Sequence, residues 1–288
     1  MPSPTVDATI ARCLAGTAAS AGALVLQVVA EAAPPEGKLW LGKLIELLGL
    51  FGVNERLVRT SVFRLARQGV LDVARDGRYS ACAIAAPLLP PIACVAAPWQ
   101  NDWTLVMGWA GELGAADSAA LRKRLWCRGF RVISPGVLAR PGNAAATLEP
   151  VLTQLGLQGK LWVCHMTGLT GVSQRPLAEL AEAAWDLSAV RARYQDLLDR
   201  FAPALARVQA APQLAPHQAF VLRTLLLCAW RRARLHDPQL PPALLPRQWH
   251  GARAAVVCRQ LCELTRAGAS AHLGRTLERP VNFDPVCF

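Results

Sequence analysis

Residues 54 to 68 read NERLVRTSVFRLARQ, and one side of this stretch gathers Arg56, Arg59, Thr60, Phe63 and Arg67, with Arg64 at its margin. A guanidinium is a planar five-donor fork that meets phosphates as a charge and guanine edges bidentately. A phenylalanine among arginines is costly in water unless it meets an apolar group such as a thymine methyl or a sugar. At 100° per residue, Leu57, Val58, Ser61, Val62 and Leu65 fall on the other side, the one expected to bury. A solvated helix face ordinarily mixes signs. This one has a single acid, Glu55, in the first turn, where the helix dipole favours it. The chemistry within reach is DNA contact by an α-helix.

The flanking elements would position that helix. LWLGKLIELLGLFG, residues 39 to 52, carries Leu41, Leu44, Ile45 and Leu48 at helical spacing and stops at Gly52. Asn54 is then a natural N-cap for a second helix reaching about Gln68. Next, VLDVARDGRYSACAIA alternates into two strands, expected to join at Asp76-Gly77 with Arg75 and Arg78 beside the turn. Helix, turn, helix and a basic-tipped hairpin make a winged helix, whose second helix enters the major groove while the wing reaches backbone. One such module reads few base pairs, so a homodimer on two half-sites is expected.

Composition agrees with a polyanionic partner. The 288 residues exceed one ordinary core, and the formal charge of +11 is spread over the chain. Lys plus Arg outnumber Asp plus Glu by 9 to 7, 8 to 4 and 14 to 9 in residues 1–90, 91–175 and 176–288. The nine cysteines are scattered without a C-x-x-C pair, as in a reducing cytoplasm. Cys258 and Cys262 stand one turn apart but have no histidine pair at ligand spacing, so no metal and no cofactor are expected. The uncharged run from Cys13 to Ala30 has Asp7 before it where a signal needs positive charge, and it reads as the first helix of a soluble domain, not as a membrane segment.

The middle third reads as strand WTLVMGWA, helix DSAALRKRLWCRGF, strands FRVIS and GVLARP around Pro135-Gly136, helix 144–155 and strand KLWVCHMT. The order β-α-β-β-α-β is ferredoxin-like. The last third is helical over 176–206, 216–235 and 251–272, with the proline-rich HDPQLPPALLPRQWHG too rigid for a simple linker. On its second helix Leu222, Leu225, Leu226, Ala229 and Ala233 form a core stripe. Arg223, Leu227, Trp230 and Arg234 form a mixed one. Arg231, Arg232 and Arg234 suit a helix C-terminus as charges. The tryptophan among them suggests a ligand or subunit contact.

With these residues in view the chain resembles the PaaX family of bacterial transcriptional regulators, repressors of phenylacetate catabolism. The resemblance rests on LWLGKLIELLGLFGVNERLVRTSVFRLARQGVL, LRKRLWCRGFRVISPGVLARP and AFVLRTLLLCAWRRARLHDPQLPPALLPRQWHGARA, in that order through all three thirds. It departs at Val70, where a tryptophan is usual, at EAAPPEGK, and at Cys228-Ala229, where a polar pair is common. The resemblance implies an α+β protein with a winged helix-turn-helix over 1–90, a Cas2-like ferredoxin fold over 98–170 and a helical effector and dimerisation domain over 176–288. It also implies a double-stranded operator as partner and release by an aryl-acyl-CoA such as phenylacetyl-CoA. Arg223, Trp230, Arg231 and Arg234 are the expected effector residues, because the mixed stripe offers guanidinium forks for phosphate beside an aromatic face for adenine.

Two other functions remain open. A Cas2-like nuclease would need an acidic metal ligand near the end of its first strand, where Val106-Met107-Gly108-Trp109 stand and no carboxylate comes before Glu112. A DNA binder without any ligand is the second. His165 and His250 read as core or surface residues, and no Ser-His-Asp set, phosphate loop or dinucleotide fingerprint points to catalysis.

Overall fold

The computed structural model describes residues 6–15, 19–33, 39–76, 79–84, 99–168, 176–210, 213–281 and 283. In chain order the helices and strands are α1 Val6–Ala15, α2 Ala21–Ala32, β1 Leu39–Trp40, α3 Leu41–Gly49, α4 Glu55–Arg67, β2 Leu71–Asp76, β3 Tyr79–Ile84, β4 Asp102–Met107, the short α5 Trp109–Glu112, α6 Ala115–Trp126, β5 Arg131–Ser134, β6 Val137–Pro141, α7 Ala145–Leu155, β7 Trp162–Thr167, α8 Leu177–Trp185, α9 Leu187–Ala210, α10 Pro216–Arg234 and α11 His250–Leu277. The fold is α+β. Two compact units are formed, one from residues 1–94, 192–235 and 250–288, the other from 95–191 and 236–249. This division differs from the expected 1–90, 98–170 and 176–288, because long-range packing, which segment order does not display, decides it.

In the first unit, the uncharged run expected as one helix is divided between α1 and α2. Ser20 caps α2, its hydroxyl accepting from the Ala23 amide at 3.3 Å. α3 ends in a turn in which Gly52 takes φ +73°, a conformation that costs an L side chain energy. Asn54 then caps α4, its side chain accepting from the Leu57 amide at 2.9 Å. β2 and β3 pair antiparallel from Leu71↔Ile84 to Asp76↔Tyr79, and β1 pairs with β3. Asp76 therefore belongs to the strand and not to the turn, and positions 77 and 78 lie outside the described residues.

α10 is the axis of this unit. Its residues 219 to 228 are all buried, so the two stripes expected on it merge into one surrounded helix. Ala219 meets α11 at Gly268, where an added Cβ would stand 2.7 Å from the Ala219 Cβ. Phe220 packs edge-on against Phe51 of the α3–α4 turn, with ring centroids 5.8 Å apart. Gln218 donates to Asp7 of α1 at 2.6 Å. Toward α2, the guanidinium of Arg223 faces the carboxylate of Glu31 at 3.5 Å, both side chains being buried. The Thr224 hydroxyl donates to Glu31 at 2.7 Å, and Arg223 also donates to the Cys262 carbonyl at 3.0 Å.

In the second unit the strand order is β5-β6-β4-β7, every neighbouring pair antiparallel. Alternation along β4 feeds two cores. Val106 packs with Leu121, Leu125, Phe130, Leu138 and Leu148 beneath α6 and α7. Trp103 and Leu105 pack with Ala181 and Trp185 of α8 and with Leu240 and Leu244. The proline-rich connection is thus a core-forming segment of this unit. The helix expected over 176–206 is broken at Asp186, which takes φ +47° between α8 and α9.

Arg223→Met is expected to destabilise the protein by about 3 to 5 kcal/mol at pH 7.5, because it leaves the Glu31 carboxylate buried without its partner. Burial already pushes this carboxyl up from its ordinary value, while Thr224, Arg223, Gln27 and Arg231 hold it down. Without the guanidinium it rises further. The folded state then binds a proton more tightly than the unfolded chain, so stability falls as pH rises through the folded value and returns on acidification toward the unfolded one. Urea denaturation at pH 7.5 and 5.5 should show the variant recovering more of its deficit than the wild type gains. A deficit independent of pH would contradict this.

Candidate nucleic-acid interface

α4 divides cleanly by burial. Val58, Ser61, Val62 and Leu65 are buried on the side that packs toward α2, α3 and β2. Arg56, Arg59, Thr60, Phe63, Arg64 and Arg67 are exposed, and Phe63 is 65% open to solvent. Leu57, expected in the core, is 46% exposed. It lies at the edge of the arc that Val58, Ser61, Val62 and Leu65 bury, and so adds a second apolar side chain to the open surface of the helix.

Within this face some groups are already engaged. Glu55 and Arg59 form an ion pair at 2.7 Å one turn apart, with more than half of each side chain in water. Such a pair is worth only a few tenths of a kcal/mol, roughly, and yields readily to a phosphate. The Thr60 hydroxyl donates to the Arg56 carbonyl at 2.8 Å, which spends its donor inside the helix. The Arg67 guanidinium lies 6.0 Å from the Phe63 ring centroid. Arg64 reaches back across α2, where its Nη2 would be 2.9 Å from a Cβ at Gly22. Gly22 therefore leaves the space that this arginine uses. Thirteen residues at 1.5 Å each make α4 about 20 Å long, against a major groove about 12 Å wide. Asn54 acts as the cap that orients the helix. Arg75 lies on β2 opposite Ser80, and Arg78 lies outside the described residues.

The proposed effector residues do not form one open stripe. Arg223 is 2% exposed and committed to Glu31 and the Cys262 carbonyl. Trp230 is 3% exposed, its ring 5.9 Å from that of Tyr194 on α9. A buried ion pair and a buried indole cannot meet a ligand, because α10 is surrounded along this length. Arg231 and Arg234, nearer the helix end, are half-buried. Burial holds the Arg231 guanidinium below its ordinary value, opposed by Glu31. Arg234 stacks 5.7 Å from the Trp230 centroid, and its Nε and Nη2 are buried without a hydrogen-bond partner.

Among the described residues no group of three His, Cys, Asp or Glu side chains could hold a metal ion. Cys258 and Cys262 are buried thiols. Burial pushes the second up to about 12, far from the thiolate that a metal would need. No described helix is long and apolar enough to cross a membrane.

Two family models match the chain, PaaX-like protein over residues 20–86 and PaaX-like protein C-terminal domain over 185–275. The transcriptional repressor PaaX of Escherichia coli strain K12 is 30% identical over 260 residues, which cover 87% of this chain and 81% of that repressor. A solved structure of the uncharacterized protein Rv0674 from Mycobacterium tuberculosis matches with a TM-score of 0.56 at 24% identity, covering 90% of this chain and 99% of that one. This last likeness concerns the fold.

The division of α4 has a direct check in stability. Alanine at Arg56, Arg59 or Phe63 is expected to change the unfolding free energy by no more than about 0.5 kcal/mol. Leu65→Ala should cost about 2 to 5 kcal/mol. If chemical denaturation finds an outer-face variant as damaging as Leu65→Ala, that face is structural and not a binding surface.

Proposed function

This chain belongs to the PaaX family, and from that premise we propose that it is a DNA-binding transcriptional repressor with no catalytic activity, acting in the cytoplasm as a homodimer on a two-half-site operator. The observation that carries the reading is the outer face of α4, with four arginines and an open phenylalanine on a helix anchored by Val58, Val62 and Leu65. We read α3, α4 and the β1-β3-β2 sheet as a winged helix-turn-helix. α4 serves as the recognition helix, and Arg75 and Arg78 serve as wing cations on the adjacent backbone. The antiparallel order β5-β6-β4-β7, with helices after the first and third strands, supports a ferredoxin-like, Cas2-like middle domain.

Arg59 and Arg67 take the base and phosphate contacts, Arg56 and Arg64 support them, and Phe63 meets an apolar edge in the groove. In a footprinted promoter fragment, Arg59→Ala or Arg67→Ala is expected to weaken binding by about 1 to 3 kcal/mol while the fold stays intact. Anisotropy titration measures it. Wild-type affinity in both variants would overturn the assignment of α4.

The regulated operon is of the aromatic, phenylacetate type, and the effector is an aryl-acyl-CoA such as phenylacetyl-CoA. Arg234 supports this with its two unpartnered buried nitrogens, and Arg231 lies one turn before it at the same helix end. Release from DNA requires the ligand to favour the non-binding conformation, and a hundredfold preference is about 2.7 kcal/mol. Calorimetry is expected to show phenylacetyl-CoA binding, much weaker binding of free phenylacetate, and loss on Arg234→Ala. If no acyl-CoA binds or displaces the operator, the effector reading falls and the DNA-binding one stands.

A further inference from the structure

A second basic region lies outside α4 and α10. From residue 118 to 148 the sequence has no aspartate or glutamate, yet it carries Arg122, Lys123, Arg124, Arg128, Arg131 and Arg140. α6 and β5 bring Arg122, Lys123 and Arg131 to one half-open cleft of about 410 Å³, beside Trp126 and the buried side chains of Phe130 and Leu138. No acid lines this cleft, and none of its three cations has an ion-pair partner among the described residues.

An ordinary solvated face leaves its cations extended into water and its large aromatics buried. Here Trp126 is 60% exposed. The Arg131 guanidinium is laid against its indole, 3.3 Å from the ring centroid. Two carbonyls fix it there, Nη1 donating to Trp126 at 3.0 Å and to Phe130 at 2.8 Å. Its Nε is buried without a hydrogen-bond partner. Arg122 is likewise tied back, its Nε donating to the Ser118 carbonyl at 3.3 Å, and its guanidinium lies 5.7 Å from the Trp109 centroid. Lys123 is exposed one position along the same helix. The cleft therefore combines an open indole, made rigid by a guanidinium on one side, with two further cations and, among the described residues, no counter-charge.

We infer that this cleft binds a phosphorylated ligand carrying a flat heteroaromatic ring, the chemistry of a nucleotide. The ring stacks on the open surface of Trp126, and Arg122 and Lys123 meet the phosphates. Ordering side chains in advance lowers the entropic cost of binding, and Arg131 and Arg122 are both ordered by hydrogen bonds and stacking before any ligand arrives. The cleft lies in the second unit and shares no residue with the operator and effector assignments.

The same chemistry has two sources, a free nucleotide or a nucleic-acid strand, and a titration separates them. Full-length protein is titrated by calorimetry with ADP, adenosine, inorganic phosphate and a six-nucleotide single strand. ADP is expected to bind, with adenosine and phosphate each weaker by about tenfold or more. Trp126→Ala, and the pair Arg122→Gln with Lys123→Gln, should each weaken ADP about tenfold or more while leaving the thermal midpoint and operator affinity unchanged. These residues are exposed, so folding is not at stake. If the oligonucleotide binds with the same sensitivity to the variants and ADP does not, the strand is the source. The inference is overturned if neither binds, if phosphate alone binds as tightly as ADP, or if Trp126→Ala binds like the wild type.

Discussion

The carboxylate of Glu31 and the guanidinium of Arg223 are both withdrawn from water, and the first unit is arranged around them. Charges cannot be buried cheaply unless each finds the other, so α2 and α10 have one acceptable register, the one that brings these groups to 3.5 Å. Thr224 adds a hydrogen bond to the same carboxylate, and the Cys262 carbonyl ties the guanidinium to α11. α2 in turn supports α4, through Leu65 below and through Gly22, across which Arg64 lies. The placement of the basic face of α4 therefore depends on a helix that begins 149 residues after α4 ends. A domain cut from residues 1–90 alone would leave Glu31 without its partner.

That dependence explains which parts of the fold could be read from sequence. The α3–α4 turn is local. Gly52 supplies a positive φ, Asn54 supplies the cap, and the apolar spacing of Val58, Val62 and Leu65 selects the inner face, so all three act within a few residues of one another. Leu57 departs because it stands at the edge of the buried arc, where periodicity alone does not decide whether a neighbour covers it. The break at Asp186 was hidden in the same way. Leu177–Trp185 and Leu187–Ala210 are both helical by pattern, and a positive φ at an aspartate leaves little trace in periodicity.

The second unit makes the contrast from the other side. Its order of elements was legible because each strand and helix signals its own period. Its two-sided core was not. Trp103 and Leu105 on one face of β4 are covered by α8 and by Leu240 and Leu244, from a proline-rich segment that interrupts two helices of the other unit. Nothing in a run of prolines states which sheet it will cover. The basic cleft of α6 and β5 had a visible signal, the absence of any acid between Asp117 and Glu149, but charge counts taken over whole thirds dilute a run of this length.

Arginine is the residue on which the functional reading turns, and its burial decides its role. Arg59 and Arg223 both stand at helical spacing beside apolar neighbours, yet the first is in water and the second is sealed in a core. The difference lies in the local polarity. Arg59 is one of four arginines in a helix that buries only Val58, Ser61, Val62 and Leu65, so it can remain solvated while α4 packs. Arg223 stands alone in AFVLRTLLLCAW, where water is excluded on every side and a single charge requires a single opposite charge. The chain offers one in a matching setting, Glu31 in LVLQVVAEAA, the only acid of α2. Two lone charges of opposite sign, each in an otherwise apolar stretch of helix, are the sequence signature of a buried pair. By the same logic, cations that outnumber the acids of their own helix, as on α4 with Glu55 alone and on α6 with Asp117 alone, are left for a partner that brings its own negative charge.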